Sequence, residues 1–212
     1  MAPDRIVRWA ETFAERHGPL TTKPGRTVVV MRGQDGAVAE CHPPFPPMTA
    51  PAAWPPDAAS LARLIAAHAA ADRTVGVLLV RLGGYAAGVF TGSPPRLVSS
   101  KTGSRLVHGR SAAGGTSQQR FARRRENQAA SALAAAADTA LRVLGPYADR
   151  LDAVVLGGDR RAVSTVSADS RLRPVMKQTV ERFLTVPDPR LAVLRDTPRY
   201  FLAVHIRLTG PA

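Results

Sequence analysis

The run Leu151-Asp152-Ala153-Val154-Val155-Leu156 restricts the architecture more than any other part of the chain. It is short and mostly apolar, so it reads as a buried strand in a parallel pairing. Before it, Gln118 to Leu144 reads as a long helix that Gly145-Pro146 ends. Earlier still come three β-like runs, Thr74 to Arg81, Tyr85 to Thr91 and Arg96 to Lys101. Gly83-Gly84 and Gly92-Ser93-Pro94-Pro95 separate them, which predicts an antiparallel meander.

After the buried run, Gly157-Gly158-Asp159 turns into a helix reaching about Ala168, with Asp159 as its cap. Gln178 and Glu181 are expected to face solvent on a late helix, and Arg199 to Leu208 closes as a strand. The order predicts an α/β fold of α+β-like character: a mixed β-sheet with helices packed on it. This order resembles ribonuclease-H-like domains.

The N-terminal part reads separately. Asp4 to His17 is a helix, with Ile6, Trp9 and Phe13 at helical spacing and Gly18 as its stop. Arg26 to Arg32 and Ala37 to Cys41 are strands around the turn Gln34-Asp35-Gly36. His42 to Pro56 is proline-rich and reads as a connector. Asp57 caps a helix to Ala71. The expected division is residues 1–56, packed on the main domain, and 57–212 as that domain.

Charge adds a second constraint. Lys and Arg number 29 against 16 Asp and Glu, a net charge of +13. A GC-rich genome explains arginine over lysine, but not the excess of bases over acids. A basic protein of this size meets a polyanion. Between Arg73 and Arg125 there is no Asp or Glu. That stretch holds Arg73, Arg81, Arg96, Lys101, Arg105, Arg110, Arg120, Arg123, Arg124 and Arg125. Solvated faces normally mix signs, so a one-sign segment points to nucleic acid.

Arginines at the start of a helix oppose its dipole. With the helix starting at Gln118, Arg120 to Arg125 fall in its first two turns and Thr116 or Ser117 is the N-cap. An anion docked there makes the same charges favourable. Gly114-Gly115 lets backbone approach such a ligand closely. Glutamine is a poor general base, but it can orient water or donate to an oxyanion. Chemistry that needs only this is attack of water on an already reactive ester.

The run from His108 to Gln128, His-Gly-Arg-Ser-Ala-Ala-Gly-Gly-Thr-Ser-Gln-Gln-Arg-Phe-Ala-Arg-Arg-Arg-Glu-Asn-Gln, resembles the actinobacterial VLRF-type peptidyl-tRNA hydrolases. These are similar to the eukaryotic ribosome-quality-control hydrolases and to the middle domain of class-one release factors. The resemblance covers roughly Thr74 to Leu208. It implies release of nascent peptide from tRNA on a stalled large ribosomal subunit. It implies Gln118 as the catalytic glutamine, with Gln119, Gly114, Gly115 and Ser117 around it. The relatives carry Gly-Gly-Gln or a Gly-Ser-Gln-like motif, whereas here Thr116 and Ser117 stand between Gly115 and Gln118. Arg105, Arg110, Arg120, Arg123, Arg124, Arg125 and Lys101 are the expected RNA contacts. The expected partners are the peptidyl-tRNA acceptor end and large-subunit rRNA, for a monomer without cofactor or metal.

Two other functions stay open. A nuclease trimming the tRNA 3′ end would need a carboxylate cluster such as Asp152, Asp159 and Glu126. A non-catalytic RNA or ribosome binder would need the basic surface alone. His108 and Ser111 are near in sequence but show no triad pattern. Cys41 is the single cysteine, which fits a reducing cytoplasm. No signal-peptide pattern and no membrane-spanning window is expected.

Overall fold

The computed structural model describes residues 1–104 and 116–210, with side chains left out for 116–125. Its elements divide into two compact units, Met1–Ala71 with Pro198–Ala212, and Asp72–Thr197.

In the first unit a short 3-10 turn leads into α1 (Ile6–His17). Ile6, Ala10 and Phe13 are buried at the spacing of one helical face. Gly18 takes φ +76 and stops the helix, a conformation that favours glycine. Strands β1 (Thr21–Lys23), β2 (Val29–Arg32) and β3 (Val38–His42) follow, all antiparallel. The turn between β2 and β3 is fixed by Asp35, whose Oδ1 accepts from the Ala37 N–H at 3.0 Å. The proline-rich connector then reaches α2 (Ala58–Ala69), and Asp57 caps it by accepting from the Ser60 N–H at 2.7 Å. Leu61 and Ile65 of α2 meet Ile6, Met31 and Cys41 in one core. Burial pushes the Cys41 thiol up to about 12, so it behaves as a small apolar group.

The second unit begins with β4 (Val75–Arg81), β5 (Gly84–Thr91) and β6 (Arg96–Ser104), the expected meander. Helix α3 runs from Thr116 to Leu144, and β7 (Ala153–Gly158) pairs in parallel with β4. Next come α4 (Arg160–Ser167), α5 (Arg173–Met176), β8 (Thr179–Leu184) and α6 (Leu191–Arg195). The sheet order is β6-β5-β4-β7-β8. Three antiparallel strands followed by two parallel ones make the mixed sheet of the ribonuclease-H-like expectation. Ala136, Ala140 and Leu144 of α3 and Val163 and Val166 of α4 pack on Leu78, Val80, Ala87 and Val154. Alanine allows α3 to lie close to the sheet, and each fully buried Val or Leu contributes about 1.5–3 kcal/mol.

The chain then returns to the first unit with α7 (Pro198–Phe201) and β9 (His205–Thr209). Here the fold departs from the sequence reading. Arg199 to Leu208 is not one strand, because Pro198 sets φ for a helical turn. Strand β9 joins β3 in the first sheet, antiparallel, with Cys41 opposite Ile206. Both α2 and β9 therefore lie in the first unit, with the N-terminal elements. The helix expected around Gln178 and Glu181 is also replaced. Residues 179–184 alternate in exposure and form β8 on the edge of the sheet, while both side chains are exposed as expected.

Candidate nucleic-acid interface

The candidate interface lies at one end of the five-stranded sheet. β4 ends at Arg81, and β5 starts opposite it at Gly84. Ser104, the last residue of β6, lies opposite Gly84. β7 runs parallel to β4 and ends at Gly158, beside Val80. In open α/β sheets, ligands gather beyond the carboxyl ends of the parallel strands. The connection 105–115 leaves from this end. Arg105, Arg110, Gly114, Gly115, His108 and Ser111 lie outside the described residues.

Helix α3 follows that connection. It has 29 residues, about 43 Å at the α-helical rise. Its last residue, Leu144, leads through a 3-10 turn to the amino end of β7. Among the described side chains of α3, the buried ones run from Ala136 to Leu144, and none lies between Glu126 and Ala135. Leu133 packs on the same core while partly buried, so the described apolar packing of the helix lies toward its carboxyl end. No acid stands in its first turn.

The helix starts two residues before the expected Gln118. Thr116 and Ser117 are its first two residues, so neither is the N-cap. Ser117, Gln118 and Gln119 share the first turn and Arg120 follows. Arg123, Arg124 and Arg125 come eighth to tenth. The dipole acts mainly within the first turn, so Arg120, the fifth residue, stands just past its strongest reach and the later three farther still. The side chains of these residues are outside the described set. Lys101 is exposed on β6, three residues before the strand ends.

The lower part of α3 is pinned by an ion-pair cluster. Arg171 reaches Asp138 of α3 at 2.8 Å and Asp169 at 2.7 Å. Hydrogen bonds from Arg171 hold the Asp169 carboxyl below its ordinary value. Two positive charges of the acid-free stretch also serve the fold. Arg81 donates to the Val186 carbonyl at 2.8 Å and pairs with Asp188 at 3.6 Å. Arg73 is half-buried, and desolvation lowers its pKa against the field of Asp152. The partner of Arg81 lies more than a hundred residues away, so no local pattern announces it.

The Gly157-Gly158-Asp159 turn is explained by packing. A Cβ on Gly157 would stand 2.7 Å from the Leu184 carbonyl oxygen. Gly158 has φ +106 and no room for a side chain against the Val80 carbonyl. Asp159 caps α4 by accepting from the Ala162 N–H at 2.8 Å. This turn leaves Arg160 and Arg161 exposed at the same end of the sheet. The Arg160 guanidinium stacks 4.3 Å above the Phe183 ring.

The carboxylates do not assemble. Asp152 precedes β7 and accepts from the Thr74 N–H at 2.7 Å. Asp159 follows β7 at its other end, about 20 Å away at the rise of a strand. Glu126 is exposed on α3. Among the described residues, no three His, Cys, Asp or Glu side chains are grouped to hold a metal. Among the described residues, no helix is long and apolar enough to cross a membrane.

Comparison with curated proteins finds no match. Among solved structures, the archaeal translation termination factor aRF1 is similar at 15% identity and TM-score 0.42, covering 92% of this chain and 52% of that one. A structure described as an archaeal protein is similar at 14% identity and TM-score 0.41, covering 78% and 48%. The chain thus spans about half the length of these two. The Vms1 mitochondrial localization core is similar at 11% identity and TM-score 0.43, covering 99% and 84%. A family profile described as Actinobacteria/chloroflexi VLRF1 release factor matches residues 73–207. That span is more than half of the chain and includes β6, α3 and the whole five-stranded sheet, so the chain belongs to the VLRF1 release factor family of Actinobacteria and Chloroflexi.

Proposed function

We propose that this chain is a peptidyl-tRNA hydrolase that frees nascent peptide on stalled large ribosomal subunits. One observation carries the reading. Helix α3 opens with Thr116-Ser117-Gln118-Gln119, continues into four arginines, and has no buried residue from Glu126 to Ala135. A helix packed near its carboxyl end can extend its basic start into an RNA cavity. Membership of a release factor family supports the same direction.

In this reading the arginines pair with phosphates of the tRNA acceptor end or of rRNA. Gln118 orients the attacking water with its carbonyl oxygen or donates to the developing oxyanion. The ester is already reactive, so positioning and electrostatics suffice. Gly114 and Gly115 let the backbone approach the 3′ end, and Lys101, Arg105 and Arg110 add to the basic approach. The chain works as a monomer in the cytoplasm, where its substrate is.

The deciding assay is release from purified large subunits carrying peptidyl-tRNA. Free peptide with intact tRNA is the expected product. A shortened tRNA would mean a nuclease, which the separation of Asp152 from Asp159 disfavours. Salt-sensitive binding without turnover would leave the chain a binder only.

A further inference from the structure

We propose that the first unit carries a second site, a groove along α1 that binds single-stranded RNA by stacking a base on Trp9. It goes beyond the release reading, which rests on α3 alone.

The groove has a volume of about 590 Å³ and is open to solvent. That lies within the roughly 300–1,000 Å³ of ligand sites. Its floor is apolar: Trp9, Phe13 and the Leu208 side chain, which is 59% exposed on β9. Trp9 stacks on Phe13 with centroids 5.3 Å apart and planes 21° apart. Phe13 in turn meets His17 at 4.4 Å. The three rings recur every four residues, so the helix holds them as one ladder. Half-exposed Trp9 is its outer member.

The rim is cationic. Arg5, Arg8 and Arg16 line the groove, and Asp4 is the one acid among the lining residues. Arg5, Arg8 and Arg16 form no ion pair among the described residues. Glu11 and Glu15 are exposed on the adjoining stripe of α1 and do not line the groove. Asp35 is occupied, because its Oδ2 binds His17 Nδ1 at 2.8 Å and its Oδ1 accepts from Ala37. A half-exposed indole at the end of a ring ladder, with arginines around it, fits a base and its flanking phosphates. An acidic peptide would use the rim but not the floor.

Trp9 reports on its own site. The chain has two tryptophans, Trp9 and Trp54, so Trp54→Phe leaves Trp9 as the one tryptophan to excite selectively above the tyrosine absorption. Titration of that full-length variant with short oligouridine should quench Trp9 saturably. Adding Arg8→Ala and Arg16→Ala should weaken half-saturation about tenfold and flatten its salt dependence by about 0.7 per lost contact. Arg123→Ala, Arg124→Ala and Arg125→Ala on α3 should leave the quench unchanged, which separates this site from the release reading. If Trp54→Phe does not fold, the α3 triple variant is titrated by anisotropy of labelled oligouridine, with and without Arg8→Ala and Arg16→Ala. The same tenfold loss is expected there. Absence of quenching, or quenching untouched by Arg8→Ala and Arg16→Ala, overturns the proposal. Equal quenching by polyglutamate overturns it in favour of an acidic polypeptide.

Discussion

Gly103 of β6 lies flat beneath the ring of Tyr85, its register partner on β5. A Cβ at Gly103 would overlap that ring at Cζ and Oη. Tyr85 also packs on the core under α3, and Ser104, the next residue, starts the connection to that helix. The pair therefore fixes where the connection begins. Gly103→Ala should destabilise the fold by about 1–3 kcal/mol through overpacking. Removing the ring with Tyr85→Ala should relieve part of that cost. The double variant should lie above the sum of the two singles by about 0.5–3 kcal/mol in urea melts. Strict additivity would show that the two residues are not in contact.

The start of α3 offers a separation of stability from function. Arg120 has Arg123 and Arg124 three and four residues on, and like charges at those spacings destabilise a helix. Arg120→Glu replaces repulsion by attraction to Arg124 and suits the dipole better. The fold should gain roughly 0.5 kcal/mol, which corresponds to about 1–2 °C in Tm for a chain of this size. Affinity for tRNA should fall, with a shallower dependence on salt. A Tm that drops would mean Arg120 has a structural partner.

The legible parts of this fold were those set by local chemistry. Asp57 and Asp159 were recognisable as caps because each precedes a helix whose third N–H it can reach. The run at Leu151–Leu156 announced a buried parallel strand because all of it but Asp152 is apolar. Long-range pairing was not legible. Strand β9 joins β3 because Ile206 meets Cys41 across the ladder, and no pattern within 199–208 selects β3 over β7. The run at 179–184 is amphipathic only in its strand register, which Leu184 reveals by packing beside Gly157. At the site, the charge asymmetry was readable, but its division was not. Arg81 stands in the acid-free basic stretch, yet it is engaged by Asp188 and the Val186 carbonyl.

Acid sensitivity follows from three carboxylates. Asp57 is lowered by the Ser60 N–H, Asp35 by His17, and Asp169 by Arg171. A carboxyl lowered in the folded state adds stability above its unfolded value of 3.8. That stability is lost as pH falls through the lowered folded value. The fold should therefore lose Tm below about pH 4, while near neutrality the contribution of these groups is complete and does not change with pH. Asn is as good a cap as Asp but does not titrate. Asp57→Asn should keep the Tm at pH 7 and make the acid limb shallower. An acid limb identical to the parent's would mean Asp57 is not held by Ser60 in solution.

The two glutamines make the sharpest test of the release reading. Both stand in the first turn of α3, where alanine is the best helix former, so neither substitution should unfold the helix. Gln118 follows Ser117 in the place that the motif resemblance assigns to the working amide. Loss of one water-orienting or oxyanion donor costs about 10²–10³ in rate. Gln118→Ala should show that loss in single-turnover release from large subunits, while peptidyl-tRNA binding stays near the parent level. Gln119→Ala should cost less than about tenfold, since in this arrangement it makes no bond to the reacting centre. The reverse ranking would move the working amide to Gln119. Full activity in the double variant would remove glutamine from the chemistry and leave α3 as an RNA-docking helix.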